Sequence, residues 1–171
     1  MFFCINYFIS NDNIILGNSI LFNYLNESSI QIVSTFEKNS NYNNVLISEY
    51  IMWLDKYILE YDFNLTNFAF INYNNYFSRV KLGKIIINYY EEIKQNIPII
   101  YNYYYPINQL FNNTYGFNTI VSIKTMKSFL ELNIEECYVK NIETNYLLYI
   151  FIRIIKDYGT RFNSFNPIRI I

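Results

Sequence analysis

The stretch that decides the fold class is NVLISEYIMWLDKYILEY, residues 44–61, followed after a short polar segment by FAFINY, residues 68–73. In the first segment apolar side chains recur every three or four residues, which is the spacing of one face of an α-helix. The second segment is a short apolar run that ends at an Asn-Asn pair, as a strand before a turn does. A helix followed directly by a strand indicates a domain that contains both.

The same alternation of helical and strand-like patterns continues on both sides of this stretch. The strand predictions are residues 2–9, 14–16, 30–36, 68–73, 99–105 and 117–123. The helix predictions are residues 20–25, 44–61, 79–95, 124–132 and 144–158, and the polar segment 108–115 is predicted as a loop. We therefore predict an α/β or α+β fold with a single mixed sheet and helices packed on it. Residues 1–171 are predicted as a single globular domain, with residues 160–171 as a candidate docking tail.

Several residue types that enzymes commonly need are rare or missing. The chain has no histidine, which excludes a Ser-His-Asp triad and a histidine-based zinc site. Its two cysteines, Cys4 and Cys137, are too few for a thiolate metal cage. The four glycines are scattered singly, and Gly83-Lys84 is followed by Ile85 rather than the Ser or Thr of a phosphate loop. From these observations we predict no catalytic, cofactor-binding or metal residues, no cofactor, and a protein that is not an enzyme.

The charge balance bears on nucleic-acid binding. The chain has 13 Lys and Arg against 14 Asp and Glu, a net charge of -1, whereas nucleic-acid binders usually carry a basic surplus. Contact with ribosomal RNA is therefore disfavoured, although a peripheral contact stays open. The segment 150–171 is locally basic, and its candidate RNA contacts are Arg153, Lys156, Arg161 and Arg169. These residues support the alternative of a small RNA-binding module that stacks bases on tyrosines.

The amino-acid usage points to an extremely AT-rich gene. Asn, Ile, Tyr and Phe are abundant, and Ala69 is the only alanine. This composition resembles that of genes in protist mitochondria and in some AT-rich insect viruses. It predicts a place in the mitochondrial matrix or, alternatively, in the cytoplasm of an infected host cell. No transmembrane segment is predicted, because the longest apolar run, residues 146–152, is far shorter than the ~20 residues that cross a bilayer.

The aromatic content suggests a role in assembly. With 15 Phe and 19 Tyr, the chain carries more apolar surface than one small domain readily hides. We predict a non-catalytic structural subunit of a larger protein assembly, a respiratory complex or the periphery of a mitochondrial ribosome. A structural or accessory protein of an AT-rich virus is a further alternative. The candidate interface residues lie in a tyrosine-rich run and in the tail: Tyr103, Tyr105, Phe162, Phe165, Ile168 and Ile170.

Overall fold

A mixed sheet forms the centre of the computed structural model, which describes residues 1–11, 14–26, 29–75, 77–159 and 167–169. Its strands stand in the order β3-β2-β1-β4-β5-β6. Strands β1 to β3 form an antiparallel meander, β4 pairs parallel with β1, β5 pairs parallel with β4, and β6 pairs antiparallel with β5. The strand bounds are β1 Phe2–Asn11, β2 Ile14–Asn26, β3 Ser29–Ser40, β4 Phe68–Asn72, β5 Tyr103–Pro106 and β6 Ile168–Arg169.

Helices cover both faces of this sheet. Within the described ranges they are α1 Asn43–Tyr61, α2 Leu82–Glu92, α3 Ile107–Tyr115, α4 Ile123–Phe129 and α5 Ile142–Tyr158. One apolar core lies between the sheet and α1 and α2, and a second lies between the sheet and α3, α4 and α5. The prediction of a mixed sheet with helices packed on it is confirmed, and the fold is α/β.

Strand β1 joins the two cores. Every residue from position 3 to position 8 is buried, so both faces of this strand are covered. Phe3 and Ile5 enter the core beneath α5, while Cys4 and Phe8 enter the core beneath α1. The alternation of side chains along a strand therefore supplies both layers from one short segment.

The prediction of a helix at residues 20–25 is wrong, because these residues belong to strand β2. The segment Gly17, Asn18, Ser19 looks like a break in the sequence, yet β2 runs through it without interruption. Gly17 is needed there because α1 packs closely over the sheet. A Cβ at this position would lie 2.7 Å from the Leu46 Cδ2 atom and 3.0 Å from the Phe8 ring. The glycine is a packing requirement and not a turn signal.

The segment between α2 and α4 also differs from the prediction. Residues 108–115, predicted as a loop, form α3, because Ile107, Leu110 and Phe111 are buried at helical spacing. Residues 117–123 were predicted as a strand, but they form no strand. The predicted strand 99–105 begins as a 3-10 turn, Ile99–Asn102, before β5. The predicted helix 79–95 begins as a π-helical turn, Phe77–Lys81, before α2.

Helix α5 agrees with its prediction and is the most deeply buried helix of its layer. The Asn141 side chain caps its start by accepting a hydrogen bond from the Thr144 N–H group, at 2.9 Å. At its end the N–H of Gly159, whose φ is 76°, donates to the Ile155 carbonyl. Among the helices that the structure describes, none is long and apolar enough to cross a membrane.

A partly buried carboxylate on α1, Asp55, leads to a prediction about stability. Tyr90 donates to both of its oxygens, at 2.8 and 2.9 Å, and Tyr101 donates to one of them, at 3.0 Å. Burial raises the pKa of Asp55 above its ordinary value of 3.8, although the two tyrosine hydrogen bonds act in the opposite direction.

Because the pKa is higher in the folded chain, the folded state binds the proton more tightly than the unfolded state does. The stabilisation from Asp55 is therefore complete below its unfolded pKa and is lost as the pH rises through the folded value. We expect the free energy of unfolding of the parent protein to fall, relative to that of Asp55→Asn, across this window. Urea denaturation at a series of pH values from about 3 to 7 measures the difference. Identical pH dependence in the two proteins would contradict it.

Candidate functional site

The order in which strands are added to the sheet reverses at β1, and this reversal locates the candidate site. Strand β2 lies on one side of β1 and β4 on the other. Because β1, β4 and β5 are parallel, their carboxyl ends meet at one edge, with Asn6 beside Asn72. In open α/β sheets, ligands bind in the crevice outside these carboxyl ends, where the strand order reverses. The side chains that follow this edge therefore define the candidate site.

A tyrosine and a carboxylate meet at this edge. Tyr7 points from β1 toward α5, and its hydroxyl donates a hydrogen bond to Glu143 Oε2 in the first turn of that helix. The ring of Tyr73, just beyond β4, has its centroid 5.8 Å from that of Tyr7. Burial, aided by the hydrogen bond to Glu143, raises the pKa of Tyr7 far above its ordinary range. Tyr7 therefore remains a hydrogen-bond donor that holds one oxygen of Glu143.

Asparagine side chains tie the ends of the parallel strands together. Asn75 donates from its side-chain amide to the carbonyl of Phe8. Asn108, at the start of α3, accepts a hydrogen bond from the Asn74 N–H group at 3.2 Å. Tyr104 donates its hydroxyl to the Asn74 side-chain oxygen, also at 3.2 Å. These bonds fix the segment after β4 against β1 and β5, so the floor of the candidate site is held by neutral amides.

The segment before α5 is held by another buried asparagine. Asn145 is fully buried, and its side-chain oxygen accepts from the N–H groups of Tyr138 and Val139, at 2.8 and 3.3 Å. Its amide nitrogen donates to the Val139 carbonyl at 2.7 Å. This arrangement places Lys140 directly before the helix, three residues from Glu143. The backbone N–H of Lys140 donates to Glu37 Oε2 at 2.9 Å, which ties this segment to β3.

A cavity of about 410 Å³ lies beside the start of α5. It is lined by Leu16, Asn18, Glu37, Lys38, Asn39, Lys140 and Asn141. Asn18 stands directly opposite Tyr7 on the neighbouring strand, and Glu37 stands opposite Asn18 on the next one. Residues opposite one another on adjacent strands share a face of the sheet. The cavity is therefore continuous with the row that carries Tyr7.

The chemistry available here follows from these side chains. Two-metal hydrolysis needs a cluster of carboxylate ligands. The described residues contain no group of three or more His, Cys, Asp or Glu side chains that could hold a metal ion. These residues thus do not fit a metal centre. What the site offers is a carboxylate, a tyrosine hydroxyl, several amides and a lysine, which suit hydrogen bonding and proton transfer.

Comparison with known proteins finds a solved structure that shares the fold of this chain. No protein-family model and no curated protein matches the chain. Among solved structures, it is similar to the nuclease domain of 3′hExo, a DEDDh family member, which was crystallised bound to rAMP. The match covers 91% of this chain and 92% of that one, with a TM-score of 0.59 and 13% sequence identity. At this identity, the similarity shows a shared fold.

This finding corrects the predicted function. The similarity contradicts the prediction of a non-catalytic structural subunit and the prediction that the chain is not an enzyme, because along nine-tenths of its length the chain shares its fold with a nuclease domain. The aromatic excess has a different explanation from an assembly surface. Tyr50, Tyr90, Tyr101 and Tyr104 are among the largest fully buried side chains. The aromatic residues fill two cores, one on each face of the sheet.

The candidate interface residues lie away from the carboxyl-end site. Tyr103 and Tyr105 line a cavity of about 210 Å³ together with Pro167, at the opposite end of the parallel strands. Ile168 stands opposite Tyr104 in the β5–β6 pair and is half-buried. The other three candidates, Phe162, Phe165 and Ile170, lie outside the described residues. The structure thus brings two of the six together in one cavity, and their role in an interface stays a prediction.

The candidate RNA contacts are divided between the two edges of the sheet. Arg153 and Lys156 lie on α5 and line a cavity of about 580 Å³ beside the β2–β3 end. Arg153 Nε is bonded to Asp157 at 2.9 Å, and Glu135 and Glu136 line the same cavity. Arg169 lies on β6, at the other edge, and Arg161 lies outside the described residues. No common basic surface forms from the described members of this set.

Sequence reasoning missed the residues of the carboxyl-end site. Tyr7 and Glu143 are separated by 136 positions, so no local motif joins them. The usable signal was the run of Asn and Tyr residues that begins at the end of the strand FAFIN, at residues 72–75. Polar residues at the carboxyl end of a buried parallel strand mark a binding crevice. In so asparagine-rich a chain that signal does not stand out.

Proposed function

We propose that this chain is a nuclease-type enzyme that binds the end of a nucleic-acid strand over the carboxyl ends of β1 and β4 and hydrolyses a phosphodiester bond there. The observation that carries the proposal is the coincidence of a nuclease-domain fold with the Tyr7–Glu143 pair at the strand crossover. The nuclease domain to which the chain is similar was solved with rAMP bound, which is a nucleotide.

In this reaction Glu143 acts as the general base. Its carboxylate takes a proton from a water molecule whose oxygen forms the new bond to phosphorus. The phosphorus–oxygen bond to the neighbouring sugar breaks, and the departing oxygen takes a proton from solvent. Tyr7 keeps the carboxylate in place by donating to one oxygen, which leaves the other oxygen for the water. The half-buried ring of Tyr73 provides a face on which a base can stack.

The charge balance of the chain limits how it holds a strand. With a net charge of -1, binding cannot depend on many phosphate contacts along a basic groove. Binding then depends on stacking and on a few hydrogen bonds at the strand end. The dissociation constant should accordingly rise only weakly with salt concentration, as expected for one or two phosphate contacts.

The proposal is tested with the full chain and single-stranded RNA and DNA oligonucleotides that carry a label at one end. Hydrolysis is followed by the appearance of shortened strands, with Mg²⁺, with Mn²⁺ and with a chelator, and binding is followed by fluorescence anisotropy. We expect strand shortening with release of mononucleotides. A chain that neither binds nor shortens any of these strands would overturn the proposal. Glu143→Gln protein purified in parallel controls for contaminating nucleases.

A further inference from the structure

A buried amide at the carboxyl end of β4 has a donor that no protein group accepts. The side chain of Asn72 is fully buried. Its oxygen accepts a hydrogen bond from Asn6 Nδ2 at 2.9 Å, whereas its nitrogen has no partner among the described residues. Buried side-chain polar atoms are nearly always hydrogen-bonded in folded proteins, because an unpaired one costs free energy. The Asn72 nitrogen therefore calls for a partner from outside the chain.

The orientation of this amide is fixed by its neighbours. Ser19 Oγ and the Tyr50 hydroxyl both donate to the oxygen of Asn6, at 2.7 and 3.0 Å. The nitrogen of Asn6 therefore faces Asn72, and an amide nitrogen needs an acceptor opposite it. Asn72 must turn its oxygen toward Asn6, so the atom that is left without a partner is the nitrogen.

A small cavity lies beside Asn72, in the core beneath α1 and α2. Its volume is about 10 Å³, and it is lined by the polar residues Asn6, Tyr50, Asn72 and Tyr101 and by apolar side chains of β4 and α2. This is about the space that a single water molecule needs. Each of the four polar residues is 2% exposed or less, so a molecule in this space is shielded from bulk solvent.

The lining of the cavity favours a neutral molecule that can both accept and donate. The Asn72 nitrogen is a donor, which repels a cation. Among the described residues that line the cavity none is Lys or Arg, so an anion would be buried without a counter-charge. Tyr101 donates its hydroxyl hydrogen to Asp55 at 3.0 Å, and its oxygen can still accept a hydrogen bond. Water satisfies both groups.

We propose that this cavity binds one water molecule, which accepts a hydrogen bond from Asn72 Nδ2 and donates one to the Tyr101 hydroxyl oxygen. The water joins two sets of buried hydrogen bonds. One set surrounds Asn6, at the carboxyl ends of β1 and β4, and the other surrounds Asp55 on α1. The bound water thereby ties the floor of the candidate site to the helices that cover this face of the sheet.

The test is an NMR measurement on the isotope-labelled full chain, with water itself as the probe. We expect cross-peaks between the water resonance and the side-chain amide protons of Asn72, with opposite signs in the NOE and ROE experiments, because opposite signs mark close contact and not proton exchange. Asn145 is the matched control. It is also fully buried, but its nitrogen donates to the carbonyls of Val139 and Asn141, at 2.7 and 2.9 Å. Its amide protons should show no cross-peak to water.

Two variants separate a bound water from a hydroxyl proton that exchanges with solvent. Tyr50→Phe removes the hydroxyl that is bonded to Asn6 and should keep the cross-peak, because Asn72 and Tyr101 still hold the water. Tyr101→Phe removes the acceptor and should abolish the cross-peak. The proposal is overturned if the parent shows no cross-peak at Asn72, if Tyr50→Phe abolishes it, or if Tyr101→Phe leaves it at full intensity. The measurement needs no nucleic acid, so its outcome is independent of the proposed function, and circular dichroism confirms that each variant is folded.

Discussion

Replacing Glu143 with glutamine should lower the rate constant of strand shortening about 100-fold or more, while the dissociation constant for the strand changes little. A general base typically contributes a factor of about 100 to 10,000 to the rate, and glutamine cannot accept the proton. Glutamine keeps the size of the side chain and can still accept the hydrogen bond from Tyr7. The loss should therefore appear in kcat and not in KM, as it does when an interaction acts in the transition state.

Two companion variants make this result specific. Tyr7→Phe removes the hydroxyl that holds Glu143 but keeps the ring, so it should lower kcat by a smaller factor. Glu91→Gln changes an exposed carboxylate on α2, across the sheet, and should shorten strands at the parental rate. If Glu143→Gln matches the parent in single-turnover measurements, Glu143 is not the base and the assigned mechanism is wrong.

The helices and strands could be predicted from the sequence wherever packing requires apolar residues at a regular spacing. Helix α1 and strand β4 were predicted within one residue of their observed ends, because each presents a regular apolar face to the core beneath α1 and α2. Helix α3 was missed because its short apolar face, Ile107, Leu110 and Phe111, is interrupted by asparagines that usually favour loops. The core contact overrides that local preference.

The candidate site was inaccessible for a different reason. It forms where strand order brings together residues that are distant in the chain. Strand order cannot be predicted from a local sequence pattern. Gly17 and Asn18 indicate a turn when considered alone, whereas one allows close packing of α1 and the other lines a cavity. Histidines, glycine loops and cysteine pairs are local features, and they do not reveal a fold that is defined by its topology.

Removing the side chain of Asn6 should have the largest effect on stability, about 3 kcal/mol or more in the free energy of unfolding. Asn6 is 2% exposed and lies at the centre of a buried polar network beside the carboxyl ends. Its oxygen accepts hydrogen bonds from Ser19 Oγ at 2.7 Å and from the Tyr50 hydroxyl at 3.0 Å. Its amide nitrogen donates to Asn72 Oδ1 at 2.9 Å.

The size of this effect follows from what Asn6→Ala leaves behind. The hydroxyls of Ser19 and Tyr50 and the oxygen of Asn72 are all buried, so they lose a partner without gaining access to water. Each buried group left unpaired costs about 1–3 kcal/mol. Urea denaturation gives the free energy of unfolding, and Asn133→Ala, at an exposed asparagine, should change it by less than about 0.5 kcal/mol.

A double-mutant cycle with Tyr50→Phe distinguishes a lost network from a simple cavity. In the parent, Tyr50→Phe removes a hydroxyl that is bonded to Asn6 and should destabilise the protein by about 1 kcal/mol. In the Asn6→Ala background the same hydroxyl has lost its oxygen acceptor and keeps only the weaker contact with the Cys4 sulfur at 3.7 Å, so its removal should cost less or even stabilise the fold. A coupling of about 1 kcal/mol is expected. If Tyr50→Phe has the same cost in both backgrounds, the loss comes from packing alone and the asparagine network does not hold β1 to α1.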